Sequence, residues 1–333
     1  MPFVVLLIAL VSPAISAAAE KAPMLGVGHF QIPDWFKASF LDLSEDVSEA
    51  AGQGRRLMLV FHQDGCPYCA KLVNQNFAQK GIVDFTREHF DVVELNLWGA
   101  RAVADFEGSP LSEAELGKKL KVWFTPTVLF LDEAGRVVFR MNGYYSPAKF
   151  LTALRYVAEK RETVEPFAEF ARREMSPADK GEIVPIAPFA AGDIDLRGDG
   201  PKVVLFEQTD CPECEALHRG ALAEAETRVL LKDLDAFQLD RWSGTPVTTP
   251  DGRQTTARAF ADELKLSYLP ALVIFDEGSE VIRAEALFKT FHIQSMITYA
   301  TSDAYKTETE FQRYIHARSD EMRDRGITVN LWD

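Results

Sequence analysis

The chain has 333 residues, enough for two domains that each bury a core of their own. With 47% hydrophobic and 26% charged residues it is globular in composition, without collagen-like or disordered bias. A formal charge of −14 argues against a phosphate-binding surface, because nucleic-acid affinity comes largely from Lys and Arg neutralising phosphates; nucleic acid is excluded as a partner.

The chain opens MPFVVLLIALVSPAISAAAEKA, an apolar run from Phe3 to Val11 followed by Pro13 and small residues up to Ala19. The run is too short to span a bilayer and predicts a signal peptide over 1–19, although no Lys or Arg precedes it. No cysteine follows the run to carry a lipid anchor, and no later segment nears the roughly 20 apolar residues of a membrane helix. The mature chain is therefore expected in the periplasm or outside the cell, and not embedded in a membrane.

RLMLVFH, from Arg56 to His62, is apolar at its centre and predicts a strand buried on both faces. Cys66-Pro67-Tyr68-Cys69 follows and opens a helix reaching about Phe77, and Phe90 to Leu97 alternates as a second strand. An excursion from Trp98 to about Leu111 leads into a helix ending at Leu120. Val128 to Met141 predicts two strands around a turn at 133–135, and Ser146 with Pro147 caps the next helix.

The second half repeats this order, with KVVLFEQ as its buried strand, Cys211-Pro212-Glu213-Cys214 after it and LVIFDEGSEVIRA as its hairpin. Cys66 and Cys211 are 145 residues apart, and Trp98 with Trp242, Pro126 with Pro270 and Phe167 with Phe311 are 144 apart, so one single-residue gap relates the copies. The predicted organisation is a first domain over 20–175, a linker over 176–182 rich in Pro and polar residues, and a second domain over 183–333. Each domain ends in an added helix packed on its own core, and the halves are expected to fold independently.

The two motifs use all 4 cysteines of the chain. A cysteine at a helix start sits where free backbone N–H groups and the helix dipole favour a thiolate, the attacking species in disulfide exchange. Cys66 and Cys211 are thus the candidate nucleophiles, and Cys69 and Cys214, one turn on, the resolving thiols. A purely structural disulfide would constrain little chain across so small a loop. A four-cysteine zinc site would need knuckles that pairs 145 residues apart do not form, and haem attachment would need His where Ala70 and Glu215 stand.

Each copy resembles a thioredoxin-fold domain, and the first resembles the SoxW-type periplasmic thioredoxins through HQDGCPYC, DFEG before a helix, VWFTPTVLFLDEAGRVVFR and NGYY. The resemblance implies an α/β fold of two tandem thioredoxin-like domains, each a mixed central sheet flanked by helices. It implies cis-prolines at Pro126 and Pro270, with Thr125 and Leu269 offering backbone groups to an extended substrate. Gly65 and Asp210 replace the tryptophan that thioredoxins carry before the first cysteine, and Val60 and Leu205 replace their buried aspartate. His62 and Glu207, on the same strand face as Val60 and Leu205, are therefore candidate proton carriers, or else ordinary strand-end residues. Trp98 and Trp242 read as core more readily than as substrate contacts.

The resulting expectation is a thiol-disulfide oxidoreductase of the cell envelope, redox-active through its disulfides and needing no metal and no cofactor. The resemblance favours a reductase of client proteins fed by a membrane thiol donor. Two alternatives stay open: an oxidase or isomerase, and a non-catalytic binding module. Asp210, Glu213 and Glu215 beside Cys211 predict that the second motif is the more reducing of the two.

Overall fold

The two halves build the same four-stranded sheet. In the first, β1 (Arg56–His62) pairs in parallel with β2 (Phe90–Asn96) and antiparallel with β3 (Thr127–Leu131), which pairs antiparallel with β4 (Val137–Asn142), giving the order β2-β1-β3-β4. In the second, β5 (Lys202–Glu207), β6 (Asp235–Asp240), β7 (Ala271–Asp276) and β8 (Ser279–Ala284) give β6-β5-β7-β8 with the same directions. The computed structural model describes residues 21–175, 183, 185–190, 192 and 194–332. The expected signal peptide, 1–19, and linker, 176–182, lie outside the described residues.

Every residue of β1 and β5 is buried, as continuous apolar runs require when helices cover both sheet faces. Alternation then separates the faces. Leu57, Leu59 and Phe61 join an outer core in the first half, and Val204 and Phe206 one in the second. The inner faces, Met58 and Val60 with Val203 and Leu205, belong to one apolar cluster that runs through both halves. Phe124 packs on Phe288 at 4.8 Å and Tyr145 on Tyr268 at 4.2 Å between ring centres, and these contacts join the halves.

Helix α1 (Pro67–Lys71) continues as a wide turn over Leu72–Asn76, and α2 (Pro147–Ala158) and α3 (Phe167–Met175) follow the hairpin, beside further helices at Leu43–Gly52, Lys80–His89 and Glu113–Lys119. The second half repeats them as α4 (Pro212–Arg219), α5 (Thr290–Thr301) and α6 (Phe311–Asp324). The copies differ by more than the one gap expected. The hairpin of the second half closes through Glu277 and Gly278, both at positive φ, the signature of a tight two-residue turn. Met141 opposite Val128 thus corresponds to Ala284 opposite Leu272, an offset of 143, and an extra residue before α6 restores 144.

The added helices do not pack only on their own cores. His316 of α6 stacks edge-on against Trp98 of the first half, and Arg172 of α3 lies over Trp242 of the second. The pairs are equivalent, so an approximate twofold relates the halves. Both tryptophans sit outside the cores, each donating its indole N–H to Gln63 or Gln208 at 2.9 Å. Residues 22–30 form a strap over the first half, in which Met24–Leu25 runs parallel to Val329–Asn330 and the Gly28 N–H donates to the Gly65 carbonyl at 2.9 Å.

Candidate active site

Both cysteine motifs start a helix in the same way. Cys66 is the N-cap of α1 with Pro67 at its first position, and its Sγ accepts the backbone N–H of Cys69 at 3.0 Å. Cys211 caps α4 identically, its Sγ accepting the Cys214 N–H at 3.1 Å. The bond satisfies a free N–H of the helix start and aims the dipole at the sulfur. The residue before the first cysteine of each motif is left-handed, Gly65 at φ 74 and Asp210 at φ 51, a conformation that glycine adopts freely and Asp better than most. Each motif forms a disulfide, Cys66 to Cys69 and Cys211 to Cys214.

The Thr125-Pro126 and Leu269-Pro270 peptides are cis. The Thr125 carbonyl oxygen and Oγ1 each lie 3.4 Å from Cys66 Sγ, so this loop faces the first disulfide. Pro270 is buried and Leu269 half-buried against the outer core of its half.

His62 and Glu207 are buried, and each belongs to an imidazole–carboxylate pair. His62 Nε2 lies 2.7 Å from Glu94 on β2. Burial pushes the Glu94 carboxyl up, but His62 and Arg101 outweigh it and hold that carboxyl below the ordinary range. Glu207 meets His218 Nε2 at 2.8 Å and accepts from Gln238 Nε2 at 2.6 Å. His218 stands four residues after Cys214, on the same face of α4. The two halves thus hold the same chemical unit with its members exchanged between strand and partner. Sequence reasoning missed Glu94 and His218; the i, i+4 spacing of His218 from Cys214 was the available signal.

The third residue of each motif docks on the other half. Tyr68 packs against Phe288 and His292, at 5.8 and 5.5 Å between ring centres. Glu213 pairs with Lys149 at 3.1 Å, and Lys149 lies over Tyr268. Burial raises the Tyr68 phenol far above its usual range, although the Lys289 N–H bond opposes this. Both motifs therefore lie at the interface of the halves. Cys66 and Cys69 are only 3% and 2% exposed, and Cys211 and Cys214 5% each, so both disulfides are largely covered. The rims differ: Asp210, Pro212 and Glu215 are exposed, whereas Gly65, Pro67 and Ala70 are half-covered.

A family model for the thioredoxin-like domain matches the chain twice, over 43–158 and 193–299. The chain belongs to the thioredoxin-like domain family. Each match holds one four-stranded sheet and one cysteine motif, so the protein is a tandem of two thioredoxin-like domains. Solved structures similar to it include a thioredoxin-fold protein from Helicobacter pylori, 23% identical, covering 40% of this chain and 91% of that one at a TM-score of 0.32. A thioredoxin from Thermus thermophilus is 27% identical over 36% of this chain and 85% of that one, TM-score 0.30. The periplasmic thioredoxin SoxS from Paracoccus pantotrophus is 21% identical over 32% and 99%, TM-score 0.24. No curated protein matches the sequence. Among the described residues of this thioredoxin-like tandem, no helix is long and apolar enough to cross a membrane.

Proposed function

We propose that this chain is a thiol-disulfide oxidoreductase of the cell envelope that acts as a reductase of client disulfides. The observation that carries the reading is the repeated N-cap geometry, in which the first cysteine of each motif accepts the amide N–H of the second. A thiolate at Cys66 or Cys211 is stabilised by that N–H and by the helix dipole. It attacks one sulfur of the client disulfide, forming a mixed disulfide and expelling the other client thiolate. Cys69 or Cys214 then attacks the mixed disulfide, re-forming the motif's own disulfide and releasing the second client thiolate. Two electrons pass from the cysteine pair to the client, and the chemistry calls for no metal and no cofactor.

Thr125 and Leu269, ahead of Pro126 and Pro270, offer backbone groups to an extended client segment once the interface opens. His62 with Glu94, and Glu207 with His218, carry the proton of the resolving cysteine in place of the aspartate that Val60 and Leu205 replace. The leader-like 1–19 segment and the resemblance to SoxW-type thioredoxins support an envelope location and a membrane thiol donor. Retention of both cysteines in both motifs favours catalysis over a binding module. The test is insulin reduction beside the measured potential of each motif: reduction with strongly negative potentials supports the reading, potentials near those of protein oxidases point to an oxidase or isomerase, and inertness to a binding module.

A further inference from the structure

The wall in front of Cys66 encloses a cavity of about 100 Å³. Cys66, Pro67 and Thr125 form one side; Phe291, Ile315 and Leu331 belong to its apolar lining. Met24 and Val27 of the strap line part of its rim, and a Cβ on Gly28 would sit 2.3 Å from the Cys66 carbonyl oxygen and 2.6 Å from Pro67 Cα, so the strap lies directly on the backbone of Cys66. Within this apolar wall His292, Gln312 and Ser319 are 8%, 6% and 3% exposed, and His292 Nδ1, Gln312 Oε1 and Ser319 Oγ have no hydrogen-bond partner. Three unpaired buried polar atoms in one wall are costly unless a ligand or water completes them. Among the described residues the lining holds Asp64, His292 and His316 but no Lys or Arg, so it carries a carboxylate and no permanent cation to pair with an anion.

We propose that the Cys66–Cys69 site reduces small, uncharged organic disulfides, which seat one hydroxyl- or amide-bearing arm in this cavity, while protein disulfides are left to the more open Cys211–Cys214 site. The inference rests on the oxidoreductase reading and narrows the substrate class of one of its two sites. The size fits: the arm retained on Cys66 from a hydroxyethyl disulfide is four heavy atoms, whereas a cavity of about 150 Å³ accommodates the six of benzene. The Cys66 thiolate attacks one ligand sulfur, the ligand S–S bond breaks, and the first ligand thiolate leaves and takes a proton from water. Cys69 then displaces the second ligand thiolate from Cys66. Two electrons move from the cysteines to the ligand, and a dithiol donor restores them.

The test uses the full chain carrying Cys211→Ser and Cys214→Ser, reduced with dithiothreitol, desalted, and mixed with 2-hydroxyethyl disulfide, oxidised glutathione or insulin. Remaining thiols are read by alkylation and mass. The expected result is oxidation by hydroxyethyl disulfide at least tenfold faster than by the carboxylate-bearing glutathione disulfide or by insulin. Ser319→Phe, which fills the cavity, is expected to slow the hydroxyethyl reaction at least tenfold. A series of uncharged disulfides with lengthening arms gives a second readout independent of how that variant folds, and rates should fall as the arm outgrows the cavity. Equal rates with insulin or glutathione disulfide, or rates indifferent to arm length, overturn the proposal and leave the oxidoreductase reading standing. Failure of all three oxidants overturns the proposal and the oxidoreductase reading of the first motif, and the full chain carrying Cys66→Ser and Cys69→Ser, given the same three oxidants, then tests that reading at the second.

Discussion

The hydroxyl of Tyr68, inside the first cysteine motif, accepts the backbone N–H of Lys289 in the second domain at 3.1 Å, across 221 residues of sequence. The active-site loop of one thioredoxin-like domain is thereby a docking element for the other. Tyr68→Phe should destabilise the chain by about 0.5–1.5 kcal/mol, because the half-buried Lys289 N–H loses its partner. Tyr68→Ala should cost about 3 kcal/mol or more through the cavity it leaves. Urea unfolding measures both, and in the alanine variant reduced Cys66 should alkylate faster than in the wild type. Unchanged alkylation would separate Tyr68 from access to the site.

The shared inner core bears on the independence of the halves. Sequence reasoning expects fragments 20–175 and 183–333 to fold alone; Phe124 against Phe288 and Phe311, and Tyr145 against Tyr268, predict otherwise. Each isolated fragment should expose the inner face, unfold at lower urea than the full chain and bind its complement when mixed. Wild-type stability in separate fragments that ignore each other would contradict the shared core.

Cys66→Ser and Cys211→Ser should abolish exchange at their own motif, whereas Cys69→Ser and Cys214→Ser should accumulate mixed disulfides. The N-cap position of the first cysteine motivates both halves of the prediction. Non-reducing electrophoresis after client addition reads the trapped species, and trapping through Cys69 in the Cys66→Ser protein at equal yield would reverse the assignment.

The potentials of the motifs should differ. Glu213 is half-buried beside Cys211 and partly compensated by Lys149, whereas Tyr68 stands at its place beside Cys66. A negative neighbour disfavours thiolate, hence the reduced form, so the Cys211 pair should be more reducing by at least about 30 mV, a tenfold change in equilibrium. Lys149→Ala removes the compensating cation and should lower that potential further. Redox titration of each motif in the other's serine background decides; a second motif equal to or more oxidising than the first would contradict the charge argument.

His292 sets a pH dependence. Burial alone lowers its imidazole to about 4, below the 6.5 of an unfolded histidine. The unfolded chain therefore binds the extra proton first as pH falls, and stability is lost between about pH 6.5 and 4. Between pH 7 and pH 5 the expected loss from this group is about 2 kcal/mol. Urea unfolding at the two pH values should show a smaller difference in His292→Phe than in the wild type.

By itself the sequence determined the duplication, the buried strands, the hairpins and the two helix-start cysteine pairs, because these depend on short-range periodicity and on residues such as Pro67 and Pro212 whose backbone preference is local. Pro126 and Pro270 were reached only through the resemblance to thioredoxin-fold domains, which places a proline ahead of each hairpin. The tertiary structure decided how the domains meet. Met58 and Val203 read as core whether they face their own helices or the other domain, since alternation shows that a side chain is buried and not what buries it. Likewise His62 and Glu207 looked like strand ends, and only the parallel neighbour β2 and the helix face of α4 supplied Glu94 and His218. The covering of Cys66 by residues 22–30 and the strand Val329–Asn330 was invisible for the same reason: two short segments some 300 residues apart acquire meaning only when the fold pairs them.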